Sequence, residues 1–132
     1  MSGAEDRVWR WVAASVVYAI HERQLAEHGG KEGIRDQGAI ESALARPVNK
    51  SLYQETDAAG LAAAYAYGLA RNHGFNDGNK RTAWVVARVF LADNGKPINF
   101  DRLEAIQTME RVAAGSISEE ALAEWLRLRL ER

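Results

Sequence analysis

The sequence predicts an all-α fold, a helical bundle built around one central buried helix. Three observations lead there. Apolar residues recur at helical rather than alternating spacing along most of the chain. Strand signal is confined to residues 97–100 and, more weakly, 48–53. Capping residues and glycine or proline stops punctuate the helical patterns. At 132 residues the chain is expected to form a single domain, 1–132, large enough to bury a core of its own. No repeat, linker or low-complexity segment interrupts it.

The first helix is expected over residues 5–27, with Trp9, Val12, Val16 and Ile20 as one stripe and Gly29-Gly30 as its stop. A short helix follows over residues 37–46, closed by Pro47. Residues 57–72 are rich in alanine, with Leu61, Tyr65 and Leu69 on one face. Residues 79–94 are apolar on nearly all sides, which makes this segment the expected central helix. Gly95 caps it and Pro97 prevents its continuation. Asp101-Arg102-Leu103-Glu104 has the form of a capping box for a helix reaching Ala114. Ser118 opens the last helix, with Leu122, Trp125 and Leu126 facing inward; Arg127-Leu128-Arg129 reads as a solvated helix end. Trp9, Trp84 and Trp125 lie on apolar faces and belong in the core rather than under nucleic-acid bases, while Trp11 is left open. His21 and His28 stand seven apart on the first helix with nothing nearby to complete a metal site, so both read as structural.

Composition narrows the function. With 47% apolar and 27% charged residues the chain is an ordinary globular protein. Its 17 cations and 18 carboxylates give a net charge of −1, so no global field recruits nucleic acid or an anionic membrane. No basic recognition helix stands out. Residues 1–6 are acidic and polar, unlike a signal peptide, and the longest apolar stretch, residues 83–92, is too short to span a bilayer. Absence of cysteine rules out disulfides and thiolate chemistry and is compatible with the cytoplasm. Any phosphate binding must come from local charge.

That local charge lies in His73-Gly74-Phe75-Asn76-Asp77-Gly78-Asn79-Lys80-Arg81. Asp77-Gly78-Asn79 is a turn signal ahead of a long apolar run, so a helix should start near Asn79 with Asn76 or Asp77 as its cap. The first amides of a helix lack internal partners and carry the positive end of its dipole, a generic anion site. Gly78 lets the backbone approach a ligand closely and tolerates positive φ. Lys80 and Arg81 fall on the first turn. Arginine grips phosphate through two parallel hydrogen bonds, and lysine adds a mobile point charge. A bare Asp77 carboxylate would repel phosphates, but it suits a Mg²⁺ ion placed between them, which favours one or two carboxylates plus phosphate oxygens. His73, at the end of the preceding helical pattern, can take a proton from an attacking hydroxyl. Phe75 is the expected anchor of the loop in the core. Each residue alone has an ordinary structural explanation, since turns, surface cations and a histidine at a helix C-terminus are all common. Together they describe a site that holds a nucleotide phosphate on a metal ion and moves it to a hydroxyl.

The same residues resemble the motif of the Fic/Doc family, His-x-Phe-x-Asp/Glu-Gly-Asn-Gly/Lys-Arg. Every defined position is matched, by His73, Phe75, Asp77, Gly78, Asn79, Lys80 and Arg81. Glu27-His28-Gly29-Gly30, Gly33-Ile34-Arg35-Asp36, Glu41-Ser42-Ala43-Leu44-Ala45-Arg46-Pro47 and Arg81-Thr82-Ala83 are similar to segments of the family's Doc (death-on-curing) branch, so the likeness covers residues 15–115. The resemblance implies an all-α Fic/Doc-type bundle and a toxin or regulator that modifies a target hydroxyl using ATP and Mg²⁺. It implies His73 as general base, Asp77 as the Mg²⁺ ligand, Gly78 and Asn79 as anion-hole and phosphate contacts, and Arg81 as a clamp on the nucleotide phosphates. Lys80 points to the branch that delivers the terminal phosphate to a threonine or serine of a translation elongation factor; adenylyl-transferring members usually have glycine there. Gly78, often alanine in that branch, keeps adenylyl transfer on the same site as the alternative. A non-enzymatic phosphate- or partner-binding helical module is the reading from another class. Gly74, proline in many members, is a further departure, with local loop consequences expected.

The family likeness also bears on partners. In Fic-like folds a short flap pairs with the target's backbone, the strand-addition mode of recognition, and residues 48–55 are the candidate here. Many members carry an inhibitory helix marked Ser/Thr-x-x-x-Glu-Gly/Asn, whose Glu pairs with the motif arginine. Ser51 to Glu55 is followed by Thr56, and Ser116 to Glu120 by Ala121, so neither matches fully. Inhibition is therefore expected from a separate antitoxin protein.

Overall fold

The computed structural model describes residues 8–131; the helix start expected at residue 5, the acidic segment 1–6 and Arg132 lie outside the described residues. Six helices follow in order: α1 Ala14–His28, α2 Gln37–Tyr53, α3 Ala58–Arg71, α4 Asn79–Asp93, α5 Arg102–Ala114 and α6 Glu119–Arg127. Among the described residues the only extended pairing is two isolated antiparallel bridges, Ile34 with Phe75 and Ile98 with Leu130. One core cluster draws on all six helices. No helix among the described residues is long and apolar enough to cross a membrane.

Local chemistry explains the boundaries. Asp36, Asp57, Asp101 and Ser118 each accept, on the side chain, the N–H of the residue three positions on, at 3.0, 2.9, 2.9 and 3.0 Å. A cap of this kind is worth about 1 kcal/mol. At the end of α4, Gly95 in the left-handed region donates to the Ala92 carbonyl (3.1 Å) and Lys96 to that of Leu91 (2.8 Å), the reversal that residues 94–97 predict.

Three expectations are corrected and a fourth is refined. Residues 8–13 are not helical, and α1 begins at Ala14. The side chain of Asn94 takes the Arg10 N–H at 2.9 Å and donates to its C=O at 3.0 Å, while the Val12 N–H donates to the Tyr65 hydroxyl. Those bonds satisfy backbone groups that a helix would otherwise satisfy. Trp9 and Trp11 thereby reach Phe90, with ring centroids at 6.0 and 5.7 Å, so Trp11 also packs on the core. The inward residues of α1 are Val17 and His21, one position removed from the expected stripe.

The second correction concerns α2, which runs through Pro47 to Tyr53. Residues 48–53 are helix, so they form neither a strand nor an extended flap. Pro47 cannot bond to the Ala43 carbonyl, but its ring is buried on the same face as Ile40 and Ala43, and that burial offsets the lost bond.

The third concerns the centre of the bundle. It is α3, which touches α2, α4, α5 and α6 and buries every residue except Tyr67 and Arg71. Alanine and glycine let neighbours approach on all sides: a Cβ on Gly68 would lie 3.2 Å from that of Ala43. α4 buries one face only, Thr82, Ala83, Val86, Ala87, Phe90 and Leu91, and leaves Lys80, Arg81 and Arg88 exposed.

Lastly, the C-terminal segment is a helix end with Arg127 and Leu128 exposed, as expected, but it is also tied down. Arg127 donates twice to Asp57, at 2.7 and 3.0 Å. Arg129 lies 3.9 Å over the Trp125 ring and pairs with Glu104. Asn99 donates to the Arg129 carbonyl and Glu131 to that of Pro97.

Candidate active site

The motif is the connection between the central helix and α4. Asn72 ends α3 and donates from its side chain to the Ala39 carbonyl at 3.2 Å. His73 follows at φ 51°, the left-handed region that a non-glycine residue seldom adopts, with its side chain exposed. Gly74 is buried against Ile40, and its carbonyl accepts the N–H groups of Arg35 and Asp36 at 2.8 and 3.0 Å. A Cβ on Gly74 would collide with Cγ1 of Ile40, so the consequence of glycine here reaches into α2 and is not confined to the loop. Phe75 is 2% exposed and anchors the loop as expected. The His21 ring stacks on it at 3.7 Å, and Tyr18 meets it edge-on at 6.0 Å.

The connection between α1 and α2 runs alongside this loop. Asn76 donates its main-chain N–H to Gly33 at 3.1 Å and its side-chain amide to the Glu32 carbonyl at 2.9 Å, beside the Ile34–Phe75 bridge. The segment that runs beside the motif is therefore residues 29–36, which the sequence placed merely upstream.

Asp77 is exposed, and its carboxylate is clamped. Oδ2 accepts the Lys31 N–H at 3.2 Å and Oδ1 that of Gly78 at 3.0 Å. Those two donors, Lys31 first, hold the carboxyl below its ordinary range, and the positive charge of Arg81 adds to them. Neither Asn76 nor Asp77 caps α4; Gly78 occupies that position at φ 77°. Asn79 is half-buried, accepting the Phe75 N–H on Oδ1 and donating to the Phe75 carbonyl from Nδ2. Its side chain is thus committed to the loop, which leaves its main-chain amide for an anion. The first intrahelical bond runs from the Thr82 N–H to the Gly78 carbonyl, so the amides of Asn79, Lys80 and Arg81 precede it.

Lys80 and Arg81 are exposed, and neither side chain makes a hydrogen bond or ion pair among the described residues. Neither Glu55 nor Glu120 pairs with Arg81, and no other carboxylate among the described residues does so. The loop thus joins Asp77 to Gly78, Lys31 and the field of Arg81, while His73 and Lys80 stand free at its edges.

The carboxylate of Asp77 fits a divalent cation. It stays ionised, and each oxygen takes one N–H, which leaves further lone pairs for a metal. No group of three or more His, Cys, Asp or Glu that could hold a metal occurs among the described residues. A cation at Asp77 would complete its shell with phosphate oxygens and water, the habit of Mg²⁺.

Two residues at this site escaped sequence reasoning. His21 is buried, and its Nε2 lies 2.8 Å from the Asp77 carbonyl oxygen. Lys31 acts through its main-chain N–H, which no side-chain pattern can announce. Spacing against His28 points away from the partners His21 has, which lie 56 positions along the chain.

Comparison with known proteins agrees with this geometry. The model of the Fic/DOC family matches residues 11–91. Protein kinase doc of Escherichia phage P1 is 35% identical over 119 residues, which cover 89% of this chain and 94% of that protein. Toxin Doc of Mycolicibacterium smegmatis is 39% identical over 100 residues, covering 72% and 76% respectively. A bundle centred on α3, a complete motif at the start of α4 and these matches together make the chain a member of the Fic/Doc family.

Proposed function

We propose that the chain is a Doc-like toxin that transfers the terminal phosphate of ATP to a threonine or serine hydroxyl of a protein, with a translation elongation factor as the target class. One observation carries this: an ionised Asp77 carboxylate is clamped beside the open amides of α4, with Arg81 and Lys80 unpaired on the same turn. The kinase named among its relatives and the lysine at position 80 support phosphoryl over adenylyl transfer.

In this reading the imidazole of His73 accepts the proton of the target hydroxyl as its oxygen bonds to the terminal phosphorus. The bond from that phosphorus to the bridging oxygen breaks, and ADP leaves. Arg81, Lys80 and the amides at the start of α4 bear the charge spread over the transferring group. Mg²⁺, when held by Asp77, supplies neutralisation of the phosphate oxygens. An antitoxin protein silences the site from outside, consistent with the absence of an ion pair on Arg81 among the described residues. Action is placed in the cytoplasm, with no direct nucleic-acid contact.

Adenylyl transfer at the same site is the second reading, kept because Gly78 stands where the Doc branch often has alanine. The test is intact-mass analysis of a cell extract incubated with the protein, ATP and Mg²⁺. A target gaining one phosphate supports the proposal. Gain of a nucleotide monophosphate transfers the assignment to the second reading, and an unmodified extract overturns both.

A further inference from the structure

We infer that His21 is a positioning residue for Asp77: its Nε2–H holds the peptide plane between Asp77 and Gly78 and, through that plane, the carboxylate proposed to bind the cation. This rests on the proposed role of Asp77. His21 projects from α1, is 5% exposed, and places Nε2 2.8 Å from the Asp77 carbonyl oxygen. A carbonyl oxygen only accepts, so Nε2 carries the proton. The ring lies on Phe75 with centroids 3.7 Å apart and planes 11° from parallel, which fixes the direction of that N–H.

The opposite edge of the same peptide plane is the Gly78 N–H, which donates to Oδ1 of Asp77 at 3.0 Å. Because a peptide unit is planar, a constraint on its carbonyl is also a constraint on its N–H. His21 and the Asp77 carboxylate therefore hold two ends of one rigid unit. The packing agrees: a Cβ on Gly78 would lie 3.3 Å from Leu25 Cδ2 and 3.6 Å from His21 Cδ2, so α1 abuts this turn directly. Without the Nε2–H the Asp77 carbonyl loses that donor and the plane can rotate. The carboxylate and the first amides of α4 then move together.

A ring that merely filled space would give the same crowding without the bond, and two substitutions separate these roles. His21→Gln keeps an N–H donor and removes the ring; His21→Phe keeps the ring and its stack and removes the donor. ATP binding is measured by calorimetry with Mg²⁺ and with EDTA, alongside thermal unfolding. The expected result is that His21→Phe melts cooperatively and loses roughly 10- to 100-fold of the Mg²⁺-dependent gain in affinity, the range for groups that orient a metal ligand. Its binding in EDTA is unchanged, and His21→Gln stays within a few-fold of the parent. Retention of the gain in His21→Phe, or equal loss in both variants, overturns the inference. Should His21→Phe not fold, His21→Gln decides alone, since loss of the gain there overturns it. Asp77→Asn is the control. If the gain survives that substitution, the metal role of Asp77 fails and the inference with it, whereas a responsive Asp77→Asn with an indifferent His21→Phe removes His21 only.

Discussion

The side chain of Asn79 closes on the main chain of Phe75, accepting its N–H at 3.1 Å and donating to its C=O at 3.0 Å. A residue that the motif suggests as a phosphate contact is thereby the clasp of the loop. Asn79→Asp keeps an acceptor for the Phe75 N–H and loses the donor to its carbonyl. It should destabilise the protein by about 1–2 kcal/mol, the cost of a buried carbonyl left without its partner. Asn79→Ala loses both bonds and should cost about 2–3 kcal/mol. Urea denaturation measures both. Equal and negligible effects would mean that Phe75 holds the loop by burial alone.

His73→Ala is expected to abolish transfer, with ATP affinity and the cooperative melt close to those of the parent, because the side chain is exposed and makes no bond that holds the fold. His73→Gly offers a sharper check. Position 73 has φ 51°, a region costing L-residues roughly 1–2 kcal/mol that glycine occupies freely. The glycine variant should therefore melt above the alanine variant while both remain inactive. Such a pairing would locate backbone strain at the proposed base, where function rather than stability fixes the residue. Full activity in either variant would remove His73 from the reaction.

How much of this was legible in the sequence depends on how far apart the cause and its partner lie. Helix starts at Asp57, Asp101 and Ser118 are local events, a side chain meeting an amide three residues on, and they stand where the sequence puts them. The motif loop is legible for the same reason. Pro47 misled because a lost N–H is visible in the sequence and the burial that offsets it is not. The centre of the bundle was misjudged because residues 79–94 carry the larger apolar side chains, whereas residues 57–72 are mostly alanine and glycine. Centrality here follows from smallness, the close fit of Gly68 against Ala43, which only a neighbouring helix reveals. His21 and the segment 29–36 meet the motif across long stretches of chain, and no spacing rule reports that.

Asp57 links the start of α3 to the end of α6 and carries a pH signature. The Arg127 guanidinium, and secondarily the Gly60 N–H, hold its carboxyl below the ordinary range against the opposing effect of burial. The folded state thus binds this proton less readily than the unfolded chain. Its stabilisation is complete above the ordinary carboxylate range and is lost as pH falls through the depressed folded value. Asp57→Asn keeps an acceptor for the Gly60 N–H but loses the ion pair. Because the pair is nearly half exposed, the loss at neutral pH should be no more than about 1 kcal/mol. Urea melts of parent and variant should converge as the pH is lowered through the depressed folded value. A constant difference across that interval would show that the charge on Asp57 contributes nothing.

Thr82, on the first turn of α4, is fully buried, and its Oγ1 has no hydrogen-bond partner among the described residues. The helix already uses the Gly78 carbonyl for the Thr82 N–H, and the hydroxyl brings desolvation without a bond in return. Valine has nearly the same shape and the same β-branching, so Thr82→Val removes that penalty and leaves the packing intact. The variant should gain about 1 kcal/mol in unfolding free energy, read as a higher urea midpoint at unchanged m-value. Because Lys80 and Arg81 project to solvent from the same turn while Thr82 points inward, kcat/KM should be unaffected. A loss of stability would instead mean that the hydroxyl bonds a group beneath the motif, and a loss of activity at parental stability would give position 82 a part in shaping the anion site.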